Sequence, residues 1–169
     1  MLRPAVSLFS AILLEALFIA IAQAQSLSLV DTPRGVRISI DSELFAEYHT
    51  NSGGQPAVWP VVGPSNIALT RSYPIGPKRD DEPDDHPHHR SLWFAHGNVN
   101  GHDFWHEPSN ETTHFIRHRS FEEKRLKQNC ARLVTCNDWV ANGQKVLEDK
   151  RTLVFAADQS VRWIDFKVE

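Results

Sequence analysis

The residues best suited to chemistry lie in one short span, Asp80 to Trp105, where acidic, imidazole, guanidinium and aromatic side chains alternate with proline and glycine. Five of the 9 histidines of the chain fall inside this span, and His106 follows it directly. Imidazole transfers protons near neutral pH and also ligates metals. A pocket for a polar substrate needs these side chains together, whereas a packed core does not. The span is therefore predicted to be the functional centre.

Three histidines of the span are candidates for acid/base catalysis: His96, His88 and His86. His96 ends the apolar run Leu92–Ala95, which is typical of a buried strand, and Gly97 follows it. A histidine at the mouth of such a strand can contact a ligand, and burial can tune its pKa. The alternative is a core histidine that is hydrogen bonded to a backbone carbonyl.

The predicted substrate-binding side chains are two guanidiniums, one carboxylate and two indoles: Arg71, Arg90, Asp103, Trp93 and Trp105. Guanidinium binds a carboxylate or a pair of hydroxyls through two parallel hydrogen bonds. An indole supplies a flat apolar wall for a sugar ring. Two alternatives stay open, because Arg90 could instead pair with Asp84 or Asp85 to steady the loop and Asp103 could cap a turn.

The same span could hold a metal through His86, His88 and His89, since imidazole suits Zn, Cu, Fe or Ni. In an extended chain His86 and His88 share one face and His89 points away, so a further ligand is needed from another histidine. Short histidine runs are also common on protein surfaces. We therefore expect that no cofactor is required, with a divalent metal as the alternative.

The rest of the chain indicates an exported protein. A basic start, an apolar run over 5–22 and the sequence Ala22-Gln23-Ala24 predict a signal peptide over 1–24, with an uncleaved anchor as the alternative. No second apolar stretch could span a bilayer, so we expect no membrane contact after cleavage and a periplasmic or extracellular location. The net charge of -3 argues against a nucleic-acid partner.

Alternating apolar positions after the signal predict an all-β protein, an antiparallel β-sandwich over 25–169. Ala141 to Gln144 is predicted to be a hairpin turn. Cys130 and Cys136 fall on one strand and should lie about 20 Å apart, too far for a disulfide. Because the last strand runs to Glu169 without a closing turn, we expect the N-terminal part of a longer domain; the alternative is that the chain simply ends there.

Two sequence blocks resemble a known family. The blocks are Asp85-His86-Pro87-His88-His89-Arg90, continuing to Trp93, and His96-Gly97-Asn98-Val99-Asn100-Gly101, continuing to Trp105. Together with Trp59-Pro60 and Tyr73-Pro74, they resemble a family of exported bacterial proteins that is abundant in planctomycetes and commonly labelled methane oxygenase PmoA-like. Particulate methane oxidation itself is excluded, because that activity needs several membrane-spanning helices.

The second block is also similar to a run in galactose mutarotase-like supersandwich enzymes, with Asn98 in place of a glycine. This resemblance implies that His96 contacts a sugar near its ring oxygen and that the fold is a supersandwich. We therefore expect a protein that binds and transforms a sugar or sugar acid by histidine-based acid/base catalysis. The alternatives are a non-catalytic polysaccharide-binding module and a metal-dependent enzyme that uses the His86–His89 loop.

Overall fold

The computed structural model describes residues 25–108, 113–127 and 129–169. The predicted signal peptide, 1–24, lies outside these ranges. Among the described residues, no helix is long and apolar enough to cross a membrane. The only helical turn in these ranges is a 3-10 segment, Pro64–Asn66.

The first sheet contains the N-terminal strands in chain order, each antiparallel to its neighbour. Its strands are β1 Leu27–Thr32, β2 Gly35–Ile40, β3 Glu43–His49, β4 Ala57–Val61 and β5 Leu92–Trp93. The alternation of apolar and polar residues in β2 places Val36, Ile38 and Ile40 in the core, as the sequence predicts.

The second sheet is an antiparallel meander of long strands. Its strands are β6 Phe115–Lys127, β7 Cys130–Ala141, β8 Gln144–Ala157 and β9 Arg162–Val168. Asn142 and Gly143 connect β7 to β8 with φ values of 51° and 77°. Both central residues of a type I′ turn need positive φ, which explains the choice of Asn-Gly here.

The main core lies where the two sheets face each other. Val36, Ile38 and Phe45 of the first sheet belong to the same buried cluster as Leu133 and Phe155 of the second. The rings of Phe45 and Phe155 meet edge to face with centroids 5.9 Å apart. The prediction of an all-β antiparallel sandwich is therefore confirmed.

Two local predictions need correction. The run Leu92–Ala95 was expected to be a buried strand, but only Leu92 and Trp93 pair, and Phe94 is 38% exposed. The prolines at the margins of the apolar run 57–64 predict an edge strand or a strand end there, yet β4 lies between β3 and β5. The short β5 pairs only with Ala57 and Val58, so Pro60 lies on the part of β4 that β5 leaves unpaired, where its missing N–H costs nothing.

The two cysteines are free, as predicted, because both belong to the continuous strand β7. Six residues of extended chain separate them by far more than the reach of a disulfide.

Candidate functional site

Histidines from the two loops that flank β5 come together on one surface. We call this group the imidazole–indole cluster, and it consists of His86, His88, His89, Trp93, Trp105 and His106. His88 lies at its centre, with its ring centroid 4.4 Å from that of His89, 4.8 Å from that of His106 and 5.7 Å from that of His86. The structure thus brings together residues that are up to 20 positions apart in the sequence.

The indoles form one wall of the cluster. The centroid of the Trp105 ring lies 4.6 Å from that of Trp93 and 6.2 Å from that of His88. Trp105 is 37% exposed, so part of its ring is open to solvent beside the imidazoles. An open aromatic face next to polar side chains is the arrangement that a sugar-binding surface uses.

A chain of hydrogen bonds connects the sheet to His86. The indole nitrogen of Trp59, on β4, donates to the carbonyl oxygen of Arg71 at 2.9 Å. The Arg71 guanidinium donates to an Asp85 carboxylate oxygen at 3.0 Å and to the carbonyl oxygens of Asp85 and His86, both at 2.8 Å. The other Asp85 carboxylate oxygen lies 2.8 Å from Nδ1 of His86. Arg71, predicted to bind substrate, therefore has its guanidinium engaged with this loop.

A buried carboxylate holds the same loop upstream. Glu82 is 9% exposed and accepts hydrogen bonds from the amides of Ser72 and Tyr73 and from the Arg79 side chain, at 2.7, 3.1 and 2.8 Å. Burial acts to raise the pKa of the Glu82 carboxyl, but these hydrogen bonds outweigh it and lower the pKa to about 2. The loop that precedes the histidines is therefore held by the Glu82 carboxylate in its charged form.

Arg90 joins the two loops of the cluster. Its guanidinium donates to the carboxylate of Glu107, next to His106, and to the hydroxyl of Ser52 at 3.2 Å. The sequence left open a pairing of Arg90 with Asp84 or Asp85, but Asp84 pairs with Lys78 and Asp85 with Arg71. The Arg90 side chain is only 12% exposed, so it links the two loops on their buried side.

The Asp103 carboxylate contacts the imidazole of His106. One of its carboxylate oxygens lies 2.6 Å from Nδ1 of His106, and the other accepts from the Trp105 amide at 2.7 Å. Asp103 therefore caps this turn, the alternative that the sequence left open, and it also orients an imidazole that was predicted only as a further metal ligand. No periodicity predicts such a contact, although a spacing of three residues in a Gly-containing loop favours it.

Burial makes His88 harder to protonate than an ordinary histidine. Desolvation is the main cause that lowers the pKa of His88, and the nearby imidazoles of His89, His106 and His86 lower it further. The carboxylate of Glu107 opposes them. The lowered pKa favours the neutral form of His88, which can accept a proton.

His96, the third predicted catalytic residue, belongs to the loop that follows β5. It is exposed, and its Nδ1 lies 3.1 Å from the amide nitrogen and 3.0 Å from the carbonyl oxygen of Asn98. A Cβ atom placed on the adjacent Gly97 would lie 3.9 Å from Cβ of Trp105. His96 thus approaches the indole wall without a ring contact to His88 among the described residues.

The predicted metal ligands are close in space, but their rings are not arranged around one point. His86 and His89 are stacked, with an interplanar angle of 17° and centroids 4.9 Å apart. Ligand nitrogens lie in the ring plane, so two stacked rings direct their nitrogens side by side. Within the described ranges no group of three or more His, Cys, Asp or Glu side chains has metal-binding geometry.

The family comparison covers the whole site. A model for a family of unknown function, DUF6807, matches residues 35–169. The chain belongs to this family. Every residue of the imidazole–indole cluster lies within the part of this DUF6807 protein that the family model matches. No functionally curated protein and no solved structure gave a significant match.

A second group of polar side chains, which the sequence analysis missed, lies between the sheets. We call it the buried polar network, and it consists of Thr135, Asn137, Asp149 and Arg151, each at most 5% exposed. Arg151 donates to both carboxylate oxygens of Asp149, at 3.0 and 2.7 Å, and Asn137 donates to the same carboxylate at 2.6 Å. The signal was available, because Thr135 and Asn137 occupy the inward phase of β7 between Leu133 and Trp139.

The DUF6807 chain also contains a cavity of about 460 Å³ near the start of β6, lined by residues that include Phe115, Ile116 and His118. None of its described lining residues belongs to the imidazole–indole cluster. The cavity lining is mainly apolar, whereas the cluster combines imidazoles, carboxylates and an exposed indole. The chemistry therefore favours the cluster as the functional site.

Proposed function

We propose that this DUF6807 protein is an exported, carbohydrate-active protein that binds a sugar or sugar acid against Trp105 and transforms it by histidine-based acid/base catalysis. The observation that carries the proposal is the position of His88 beside an exposed indole and between further imidazoles. Apolar ring faces of sugars suit the indole, and their hydroxyls suit imidazole donors and acceptors.

In this proposal His88 is the general base, His86 is its proton-transfer partner, and His96 contacts the sugar near its ring oxygen, as the resemblance to galactose mutarotase-like enzymes implies. Arg71 and Arg90 act mainly by positioning, because their guanidiniums already donate to protein oxygens. The resemblance of the His96–Trp105 block to galactose mutarotase-like enzymes supports the same class of ligand. A carbohydrate ligand also agrees with a periplasmic or extracellular location, to which the signal-like N-terminus would direct the chain.

A non-catalytic polysaccharide-binding module is the second candidate. The openness of the cluster favours it, since the side chains of His86 and His106 are 55% and 64% exposed. A polymer can cross an open surface, whereas a catalytic site gains from exclusion of water. A metal-dependent enzyme, using His86, His88 and His89, is distinguished by metal analysis.

The test is a binding and turnover assay on tag-free protein with D-glucose, D-galactose, D-glucuronate and D-galacturonate and with oligosaccharides of each. The metal content is measured on the same sample. Binding with turnover of at least one sugar and without stoichiometric metal supports the enzyme, and binding without turnover supports the module. Absence of binding to every sugar contradicts both, and stoichiometric metal that is lost on substitution of His86 and His88 supports the metal-dependent alternative.

A further inference from the structure

Asp103 has the geometry of a residue that fixes the tautomer of a catalytic imidazole. Its carboxylate lies 2.6 Å from Nδ1 of His106, and its other oxygen is held by the Trp105 amide at 2.7 Å and the His106 amide at 3.4 Å. Burial acts to raise the pKa of Asp103, but the hydrogen bonds from His106 and these amides outweigh it and lower the pKa. A charged carboxylate accepts only, so Nδ1 of His106 must carry the proton. Nε2 is then the free nitrogen.

The loop on the other side of the cluster contains a similar pair. Nδ1 of His86 lies 2.8 Å from the Asp85 carboxylate, which also accepts from Arg71 at 3.0 Å. The two pairs differ in their surroundings, because Asp85 shares its charge with a guanidinium. Among the described residues, the Asp103 carboxylate binds only His106 and backbone amides.

The position of His106 places this pair at the edge of the indole wall. His106 follows Trp105 in the chain, and its ring centroid lies 4.8 Å from that of His88. The neighbouring Glu107 is engaged by Arg90, so its carboxylate does not compete for His106. A ligand that contacts His88 beside Trp105 would therefore be within reach of His106.

We infer that Asp103 and His106 form a second proton-transfer pair of this site, in which Asp103 positions the imidazole and Nε2 of His106 accepts a proton from a hydroxyl of the bound sugar. This inference rests on the proposed function. In the transfer the O–H bond breaks, the N–H bond forms at Nε2, and the electron pair stays on the sugar oxygen. The Asp103 carboxylate stabilises the imidazolium that results, and the reverse step returns the proton, so no further reactant is needed.

The first test reads the ring nitrogens of His106 directly. Two-bond ¹H–¹⁵N correlation spectra of the full chain, with His106→Gln to assign the signals, report which nitrogen carries the proton. We expect Nδ1–H in the wild type and Nε2–H in Asp103→Asn, because an amide can donate to Nδ1 and a carboxylate cannot. The inference is overturned if neutral His106 carries its proton on Nε2 in the wild type.

The second test uses the sugar that gives the highest turnover among D-glucose, D-galactose, D-glucuronate and D-galacturonate. For Asp103→Asn we expect kcat to fall about 100-fold with KM within about threefold of the wild type, and Asp103→Glu to recover part of the loss. Unchanged kcat in Asp103→Asn overturns the inference, as does an equal loss of kcat in an Asp103→Glu variant that is folded and keeps Nδ1–H on His106. If the wild type binds none of these sugars, the proposed function fails and the proton-transfer role fails with it, while the ring spectrum still decides whether the pairing exists.

Discussion

The imidazole–indole cluster lies on loops and is partly open to solvent, whereas the buried polar network lies between the sheets and is almost fully enclosed. The Asp149 carboxylate of the network accepts from Arg151, Asn137 and the Trp139 indole, all within 3.1 Å. In the cluster, by contrast, one nitrogen of His86 and one of His106 are the ring nitrogens with a carboxylate partner among the described residues. Satisfied groups stabilise a fold, and groups with free donors and acceptors can bind a ligand.

This difference separates the two roles of polar residues in the molecule. The network connects the inward faces of β7 and β8. Along β7 it lies between the apolar cluster that contains Leu133 and the one that contains Trp139. The cluster depends on rigid supports behind it, namely Trp59, Glu82 and Arg90. The following substitutions test whether the two regions can be disturbed separately.

The largest effect is expected for Arg151→Met. Arg151 is 1% exposed, and its loss leaves the Asp149 carboxylate buried without a cation. Removal of one partner of a buried pair costs about 3–5 kcal/mol of unfolding free energy. Urea denaturation measures this change, and Arg125→Met is the matched control, because Arg125 pairs with Glu123 but is 58% exposed and should cost less than about 1 kcal/mol. A similar loss of unfolding free energy in both variants would contradict the claim that the buried ion pair stabilises the fold more than the exposed one.

The next effect is expected for His88→Gln, which removes the proposed base from the cluster. Turnover should fall about 10²–10⁴-fold while the unfolding free energy changes by less than about 1 kcal/mol. His102→Gln is the control, since His102 contacts His114 in a different part of the loop, with centroids 4.8 Å apart. His96→Gln adds information, because a loss as large as that of His88→Gln would show that His96 also takes part in catalysis. Full activity of His88→Gln in a folded protein excludes His88 as the base.

A smaller effect is expected for Trp105→Ala on sugar binding. Loss of the aromatic contact should weaken binding by about 0.5–1.5 kcal/mol, or roughly twofold to tenfold in Kd. Calorimetric titration with the best-bound sugar measures the change. Trp163→Ala on β9 is the control, since Trp163 is 42% exposed and lies outside the cluster. Equal weakening by both substitutions would show that the cluster has no special part in binding.

The smallest effect is expected for Glu82→Gln and depends on pH. The pKa of Glu82 is about 2 in the folded protein against an ordinary value of 4.5, so its stabilising contribution is complete above pH 4.5 and is lost as the pH falls towards 2. The difference in unfolding free energy between wild type and Glu82→Gln should therefore be present at pH 6 and vanish near pH 2. Urea denaturation at a series of pH values measures it, with the exposed Glu43→Gln as control. A difference that grows as the pH falls has the wrong sign for this account.

The strands could be predicted from the sequence because a buried sheet face imposes a period of two residues. Leu133 and Phe155 follow that period, and Asn142-Gly143 has the turn residues that its positive φ values require. The sandwich, the long strands of the second sheet and the free cysteines follow from these rules alone. The short length of β5 could not be predicted, because β5 ends where its pairing with β4 ends, and that pairing involves only Ala57 and Val58.

The site could be predicted by residue type but not by arrangement. The density of histidines predicts the span in which the candidate site lies, yet no period relates His88 to His106, which are brought together by the folding of two irregular loops. The same limit applies to Arg90, whose partner Glu107 is 17 positions away, whereas the sequence suggested a partner nearby. Arg151 could not be predicted for a different reason. A polar residue in a strand is ordinarily assigned to the solvent face, whereas Arg151 faces inward.

The central claim is that a sugar binds on Trp105 beside His88, and chemical-shift mapping tests it most directly. Indole and imidazole ring resonances of ¹⁵N-labelled full chain are followed during titration with the sugars named above. The account predicts that the Trp105 indole N–H and the ring signals of His88 and His106 shift together and saturate at one Kd, while Trp163 stays unchanged. Shifts confined to His118, beside the cavity at the start of β6, or saturable binding that leaves Trp105 and His88 unmoved would contradict it.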